Sequence, residues 1–236
     1  MKINHNVLKR LGLLSMLADH IGLVFFLPGE PVYIMLRTVG RLAAPAMCFL
    51  LAEGYVHTSS AEKYMKRMLL FALLSQLPFR LICEKYSLQE GFTGNMLFTL
   101  FLSLAILEIC SRSAPSGSRD FLVFLLLGAS AFCDWGVTAP LWVLCFFVFR
   151  REPVRRMQAF AAVCAGSLIL DGASAISRGL PPSRWAWQAG IFLFLPLMRL
   201  YTDEEVHSSK ASRLFFYLFY PAHLLALYVI SVFFTS

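Results

Sequence analysis

Nine stretches of this chain are almost continuously apolar: roughly residues 11–27, 32–52, 66–82, 95–110, 121–133, 136–149, 157–177, 186–199 and 213–233. They come as blocks rather than as two-sided patterns. A block that is apolar all round needs apolar surroundings on every side. Inside a lipid bilayer its backbone N–H and C=O groups can be satisfied only within the segment, which means a helix. The blocks therefore predict an all-α protein, a polytopic membrane bundle of about nine transmembrane helices. Charge density agrees. Only 15% of the 236 residues are charged, against about a quarter in an average soluble domain. The polar stretches between blocks are short, "YTDEEVHSSK" at 201–210 being among the longest. The chain thus reads as a single integral-membrane domain, 1–236, without a separate soluble part.

The basic residues orient the bundle. With the N-terminus in the cytoplasm, fifteen of the 21 Lys and Arg fall on the inner side, Lys210 and Arg213 among them. Four (Arg80, Lys85, Arg178, Arg184) fall outside, and Arg37 and Arg41 lie within a span. This bias predicts an N-terminus inside and a C-terminus outside. It accounts for the net charge of +7 without nucleic acid, leaving anionic lipid or an anionic cytosolic ligand as the partner of the inner face. "MKINHNVLKR" followed by an apolar run resembles a signal peptide. The run carries Asp19 and His20, however, and no small-x-small cleavage site follows, so it reads as an uncleaved first helix. Blocks five and six are short for spans, which makes "CDWG" (133–136) a tight outer turn dipping into the membrane. The six cysteines show no metal-type spacing and read as small buried hydrophobes. No metal site is predicted.

Ionisable groups inside a membrane are costly and mark functional sites by default. On the topology above, His20, Arg37, Arg41, Gln76, Asn95, Asp134, Asp171 and His223 gather in the outer half of the bundle. Each has a plainer reading. Arg37 can snorkel to the surface, Gln76 and Asn95 can bond neighbouring helices, His223 can patch the helix at Pro221, and Asp171 can end one. The adjacent pair Asp19–His20 has the weakest structural explanation. Consecutive helix residues point about 100° apart, so the two do not bond head-on. Asp19 is expected to pair with Arg41 or Arg37, which share a face at i, i+4. His20 is expected to take a partner from another helix, with Glu53, Asn95 or His223 as candidates. Lys9 lies eleven residues before His20, close to three turns and about 16 Å along the same face. That spacing suits coenzyme A, with phosphates at one end and a thioester at the tip of a long arm.

With these residues laid out, the chain resembles the TraX family. The resemblance rests on Lys9-x10-His20 ending in "DHIG", then "VGRLAAPAMCFLLAEGYVHT", "YMKRMLLFALLSQLPF", "NMLFTL", "DWG" and "FYPAHLL", in order over nearly the whole chain. The Lys9-x10-His20 element is also similar to the R/K-x10-H motif of multi-span membrane acyltransferases. The family takes its name from a conjugation protein that acetylates the N-terminal amine of a pilin. The resemblance implies a bacterial inner-membrane protein with His20 as catalytic candidate. It also places Lys9, Arg41, Glu53, Asn95, Asp134 and His223 in family-like motifs.

The expected function is a membrane-embedded acyltransferase. It would move an acetyl group from cytosolic acetyl-CoA to an amine (a peptide or pilin-like N-terminus, or an amino sugar) or a hydroxyl at the outer half of the membrane. Lys9, Arg10, Lys66 and Arg67 are the candidate phosphate ligands. His20, beside Asp19, is the general base or acyl carrier. Arg41 or Asn95 would stabilise the oxyanion, and Arg37, Glu53, Gln76, Asp134 and His223 are further contacts. The alternative is a proton-coupled transporter using Asp19, His20 and Arg41 as a relay. A third reading, a purely structural assembly partner of a pilus-like protein, predicts no acyl-CoA binding. Phosphate-loop, G-x-S-x-G and H-E-x-x-H motifs are absent.

Overall fold

A computed structural model describes residues 2–86, 93–202 and 210–234, with side chains from 214 to 233 in the last stretch. The side chains of Lys210 and Arg213, and residues 203–209 of the polar stretch, lie outside the described residues. The helices are α1 (His5–Phe25), α2 (Pro31–Gly40), α3 (Ala43–Val56), α4 (Ala61–Lys85), α5 (Met96–Arg112), α6 (Gly117–Ser130), α7 (Thr138–Val148), α8 (Pro153–Ser177), α9 (Phe194–Leu200) and α10 (Lys210–Phe234). Two 3-10 segments, Pro182–Arg184 and Ala186–Leu193, precede α9. Among the described residues no strand forms; β-type pairing is limited to isolated bridges such as Ile3–Tyr201 and Gly94–Cys133.

Among the described residues three stretches are long and apolar enough to cross a membrane: Pro31–Val56, Pro153–Ser177 and Leu214–Phe233. Elsewhere the helices carry apolar groups outward. On α4, Leu70, Leu73, Leu74 and Leu77 are all more than half exposed, while Phe71, Ala72, Ser75 and Phe79 are buried. This i, i+3, i+4, i+7 stripe faces away from the core, the reverse of a soluble helix.

The chain forms two compact units, Met1–Met47 with Glu152–Ser236, and Cys48–Arg151. In the first, Asn4 caps α1 by accepting the Val7 N–H at 3.0 Å. Helices α1 and α2 pack antiparallel through a seam of small or short side chains, Ser15, Asp19 and Gly22, while Gly12 on the same face of α1 meets Ala46 and Met47 of α3. Such residues let helix backbones approach closely. A methyl group on Gly22 would sit 2.9 Å from Leu36, and one on Gly40 would collide with Asp19 itself.

The block 32–52, expected as one span, is two helices. Pro45 has no N–H for the Arg41 carbonyl and crowds it, which breaks the ladder at Arg41–Leu42. The Val39 and Gly40 carbonyls at the end of α2 accept the buried Ser15 hydroxyl at 2.7 and 3.0 Å. The block 186–199 also departs from a single α-helix, since its first part is the 3-10 segment Ala186–Leu193. There Gly190 lies directly on the Thr38 carbonyl, where no side chain would fit. Three residues per turn put Trp187 on the same side as Gly190.

Helix α10 runs parallel to α1. Lys9 faces Phe216, with its ammonium 4.3 Å from the ring centre, and further along both helices His20 faces His223. Leu8, Ala46, Phe160, Cys164, Phe194 and Leu224 form the sealed core of this unit.

In the second unit α5 packs against α4, α6 and α7, around a core of Phe49, Leu104, Ile106, Leu107, Trp142, Val143 and Phe146. The turn at 133–136 is docked on the start of α5. The Asp134 N–H donates to the Gly94 carbonyl at 2.7 Å, and the Thr99 hydroxyl donates to the Asp134 carbonyl at 2.5 Å. Trp135 and Gly136 take left-handed backbone (φ 65° and 45°) to make it, a conformation that is ordinary for Gly but uncommon for Trp. None of the six cysteines is in a disulfide.

Candidate functional site

The first unit holds the densest polar cluster. Asp19 is buried and pairs with both candidate arginines. Arg37 Nη1 donates to Oδ2 at 2.6 Å, and Arg41 Nη2 lies 2.6 Å from Oδ1 and from Oδ2. Arg37 is in the last turn of α2 and Arg41 caps its C-terminus, the end where a helix dipole favours cations. The two guanidinium carbons lie 4.3 and 4.9 Å from the ring centre of Trp187, so one indole face covers both. Trp187 is fixed by its own N–H, which donates to the Arg184 carbonyl at 3.0 Å. Gly190 seats this segment on α2. One carboxylate and two guanidiniums sum to a single positive charge, held by hydrogen bonds at a helix break.

His20, on the adjoining face of α1, finds its partner in His223 rather than Glu53 or Asn95. His223 Nε2 is 3.3 Å from His20 Nδ1, and the rings meet edge to face at 4.9 Å. Each histidine also bonds its own helix. His20 Nδ1 is 2.8 Å from the Met16 carbonyl, and His223 Nδ1 is 2.7 Å from the Phe219 carbonyl. Phe219 stacks on His223 at 4.9 Å and braces it. Lys9 lies on this same side, against Phe216, while Arg10 is exposed.

The other sequence candidates belong to the second unit, and most are tied into its framework. Asn95 caps α5 by accepting the Leu97 N–H at 3.0 Å, and donates to the Ala72 carbonyl and Gln76 Oε1 at 2.7 and 2.9 Å. Gln76 completes this link by donating to the Thr93 carbonyl at 2.7 Å. Asp134 is half-buried in the turn described above. Glu53, only 3% exposed, accepts from Arg150 Nε at 3.2 and 3.4 Å, and Arg150 Nη2 reaches His57 Nε2 at 3.3 Å. Lys66 pairs with Glu62 on an exposed turn at 2.5 Å, and Arg67 lies over Tyr64. Asp171 is exposed on α8.

Sequence reasoning missed Trp187, Arg150 and His57. Nothing in the pattern around Trp187 announces that an indole will cover arginines about 150 residues earlier in the chain. Arg150 and Glu53 are 97 residues apart. Among the described residues no group of three metal-ligating side chains converges.

A helical bundle with outward apolar stripes and a buried carboxylate–guanidinium–imidazole cluster belongs to the class of membrane proteins with a polar centre. More narrowly, this chain belongs to the TraX family, whose model, described as "TraX protein", matches residues 4–231. It is 33% identical over 232 residues to the "Probable fimbrial assembly protein FimC, serogroup H1" of Dichelobacter nodosus, covering 92% of this chain and 91% of that protein. A second relative, an uncharacterised protein of Rickettsia prowazekii (strain Madrid E), is 24% identical over 139 residues, 59% of this chain and 46% of its own. No solved structure matches.

Proposed function

We propose that this protein is a membrane-embedded acyltransferase that takes an acetyl group from cytosolic acetyl-CoA. The acceptor is an amine or hydroxyl at the outer half of the bacterial inner membrane. The name of the fimbrial assembly relative makes a peptide amine of a surface-fibre subunit the first acceptor to try, with an amino sugar next. The observation that carries the reading is His20, set beside the Arg37–Asp19–Arg41 clamp with Lys9 three turns away on the same face of α1. A base next to fixed positive charge suits acyl transfer, because the tetrahedral intermediate carries an oxyanion.

The reaction balances without an outside reagent. The acceptor heteroatom attacks the thioester carbonyl while His20 Nε2 takes the acceptor's proton. The C–S bond then breaks, and the coenzyme thiolate leaves and recovers that proton. Lys9 and Arg10 at the start of α1 attract the coenzyme phosphates. We read about nine crossings with the N-terminus inside. An odd number of crossings requires the first and last spans to run parallel, as α1 and α10 do.

The test uses the purified full-length protein in nanodiscs with radiolabelled acetyl-CoA. Release of coenzyme A is expected, faster with a peptide amine present, and His20→Ala is expected to lower it at least 100-fold. Full activity in His20→Ala removes His20 from the mechanism. Failure to bind acetyl-CoA at all favours a structural assembly role. Proton-driven solute uptake into liposomes without acetyl transfer favours a transporter.

A further inference from the structure

Asp19 is the residue a reader of the sequence would cast as the orienting acid for His20. Both its oxygens are taken up by Arg37 and Arg41, and the only side chain within hydrogen-bond distance of His20 among the described residues is His223. The two imidazoles can be assigned protons from their partners alone. A carbonyl oxygen can only accept, so the ring nitrogen facing it must carry hydrogen. His223 Nδ1 faces the Phe219 carbonyl and is therefore the N–H of that ring. In neutral His223, Nε2 is then a bare acceptor, and it points at His20 Nδ1. His20 Nδ1 faces the Met16 carbonyl as well, so it too carries hydrogen, shared between that carbonyl and His223 Nε2. What remains is His20 Nε2, a lone pair with no hydrogen-bond partner among the described residues.

We propose that His223 is the positioning residue for His20, filling with a neutral imidazole the place that a carboxylate holds in hydrolase triads. The proposal rests on the acyl-transfer reading above. His223 holds the His20 ring so that Nε2 faces the reacting groups. When Nε2 takes the acceptor's proton, His20 becomes cationic and its Nδ1–H bond to His223 becomes charge-assisted and stronger. The stabilisation thus appears as the transition state forms, which is where it raises turnover. A neutral partner suits this site. A second carboxylate beside the clamp would draw the arginines off Asp19, whereas an imidazole supplies the acceptor without the charge. Phe219, stacked on His223 at 4.9 Å, and the Phe219 carbonyl keep the acceptor nitrogen aimed.

The experiment compares His223→Leu and His223→Gln in nanodiscs, reading acetyl-CoA affinity and turnover separately. Leucine removes the acceptor, and turnover should fall about 100-fold with acetyl-CoA affinity within twofold of wild type. Glutamine offers an amide oxygen near the same place and should recover at least tenfold of that loss. Nitrogen-15 spectra of ring-labelled histidine, with His20 assigned by its loss in His20→Gln, should show His20 protonated at Nδ1 in the resting protein. Retention of more than half the turnover in His223→Leu overturns the proposal, as does resting protonation at Nε2 alone. Equal loss of turnover and affinity in both variants also overturns it, marking His223 as structural. A fully active His20→Gln instead sinks the underlying assignment of His20, so the two failures are distinguishable.

Discussion

Asp19 works under opposing demands at the scale of one side chain. Its burial would be costly alone, and so would that of the two guanidiniums it holds. Removing one partner of a buried ion pair leaves uncompensated charge and typically costs about 3–5 kcal/mol. Asp19→Asn keeps the shape and removes the charge. It is expected to lower the apparent Tm in detergent sharply, and an unchanged Tm would show that the clamp does not hold α1 to α2. Asn95 predicts the opposite pattern. Its bonds go to the start of α5, to α4 and to Gln76, all within the framework. Loss of such a cap costs about 0.5–2 kcal/mol. Asn95→Ala should therefore melt earlier yet keep the proposed acetyl transfer per folded molecule. A fall in turnover at unchanged Tm would return Asn95 to the reacting groups.

At the scale of elements, the break between α2 and α3 is what places Arg41. Pro45 withholds the N–H that the Arg41 carbonyl would need in a continuous helix. In Pro45→Ala the ladder can close through Arg41, turning its side chain away from Asp19. Thermal stability should hold or rise while turnover drops at least tenfold. Turnover equal to wild type would mean that the break has no bearing on the site. Gly40→Ala forces a methyl into Asp19; overpacking of this kind costs about 1–3 kcal/mol and should reduce both stability and activity. Much of this level was legible in the sequence. Long apolar blocks leave only helices as an option, and the 100° step between neighbours sends Asp19 across to the arginines. The break was not legible, because a proline in an apolar block can kink, break or simply begin a helix. The 3-10 stretch was hidden for a similar reason: composition does not separate i+3 from i+4 bonding. The partner of His20 could be narrowed to three candidates and no further, since 203 residues separate it from His223 and no local rule spans that distance.

At the scale of the whole molecule, the proposed orientation has its own test. Alkaline phosphatase fused after residue 234 should be active and a fluorescent protein there dark, with the reverse after residue 112. Matching signals at both positions would overturn the five crossings proposed between them. The exposed stripe of α4 makes a compatible demand, since four outward leucines suit lipid far better than water.

The pairing of α1 with α10 also bears on how the protein is made. Translation runs from His20 towards His223, so 203 residues are added between the two. At roughly 5–20 residues per second, about 10–40 s of synthesis separates them. Through that interval the first helix waits in the membrane with Asp19 and His20 but without its final neighbour. An inserted nascent chain thus lacks the His20–His223 pair, which closes only after translation has carried α10 into place beside α1.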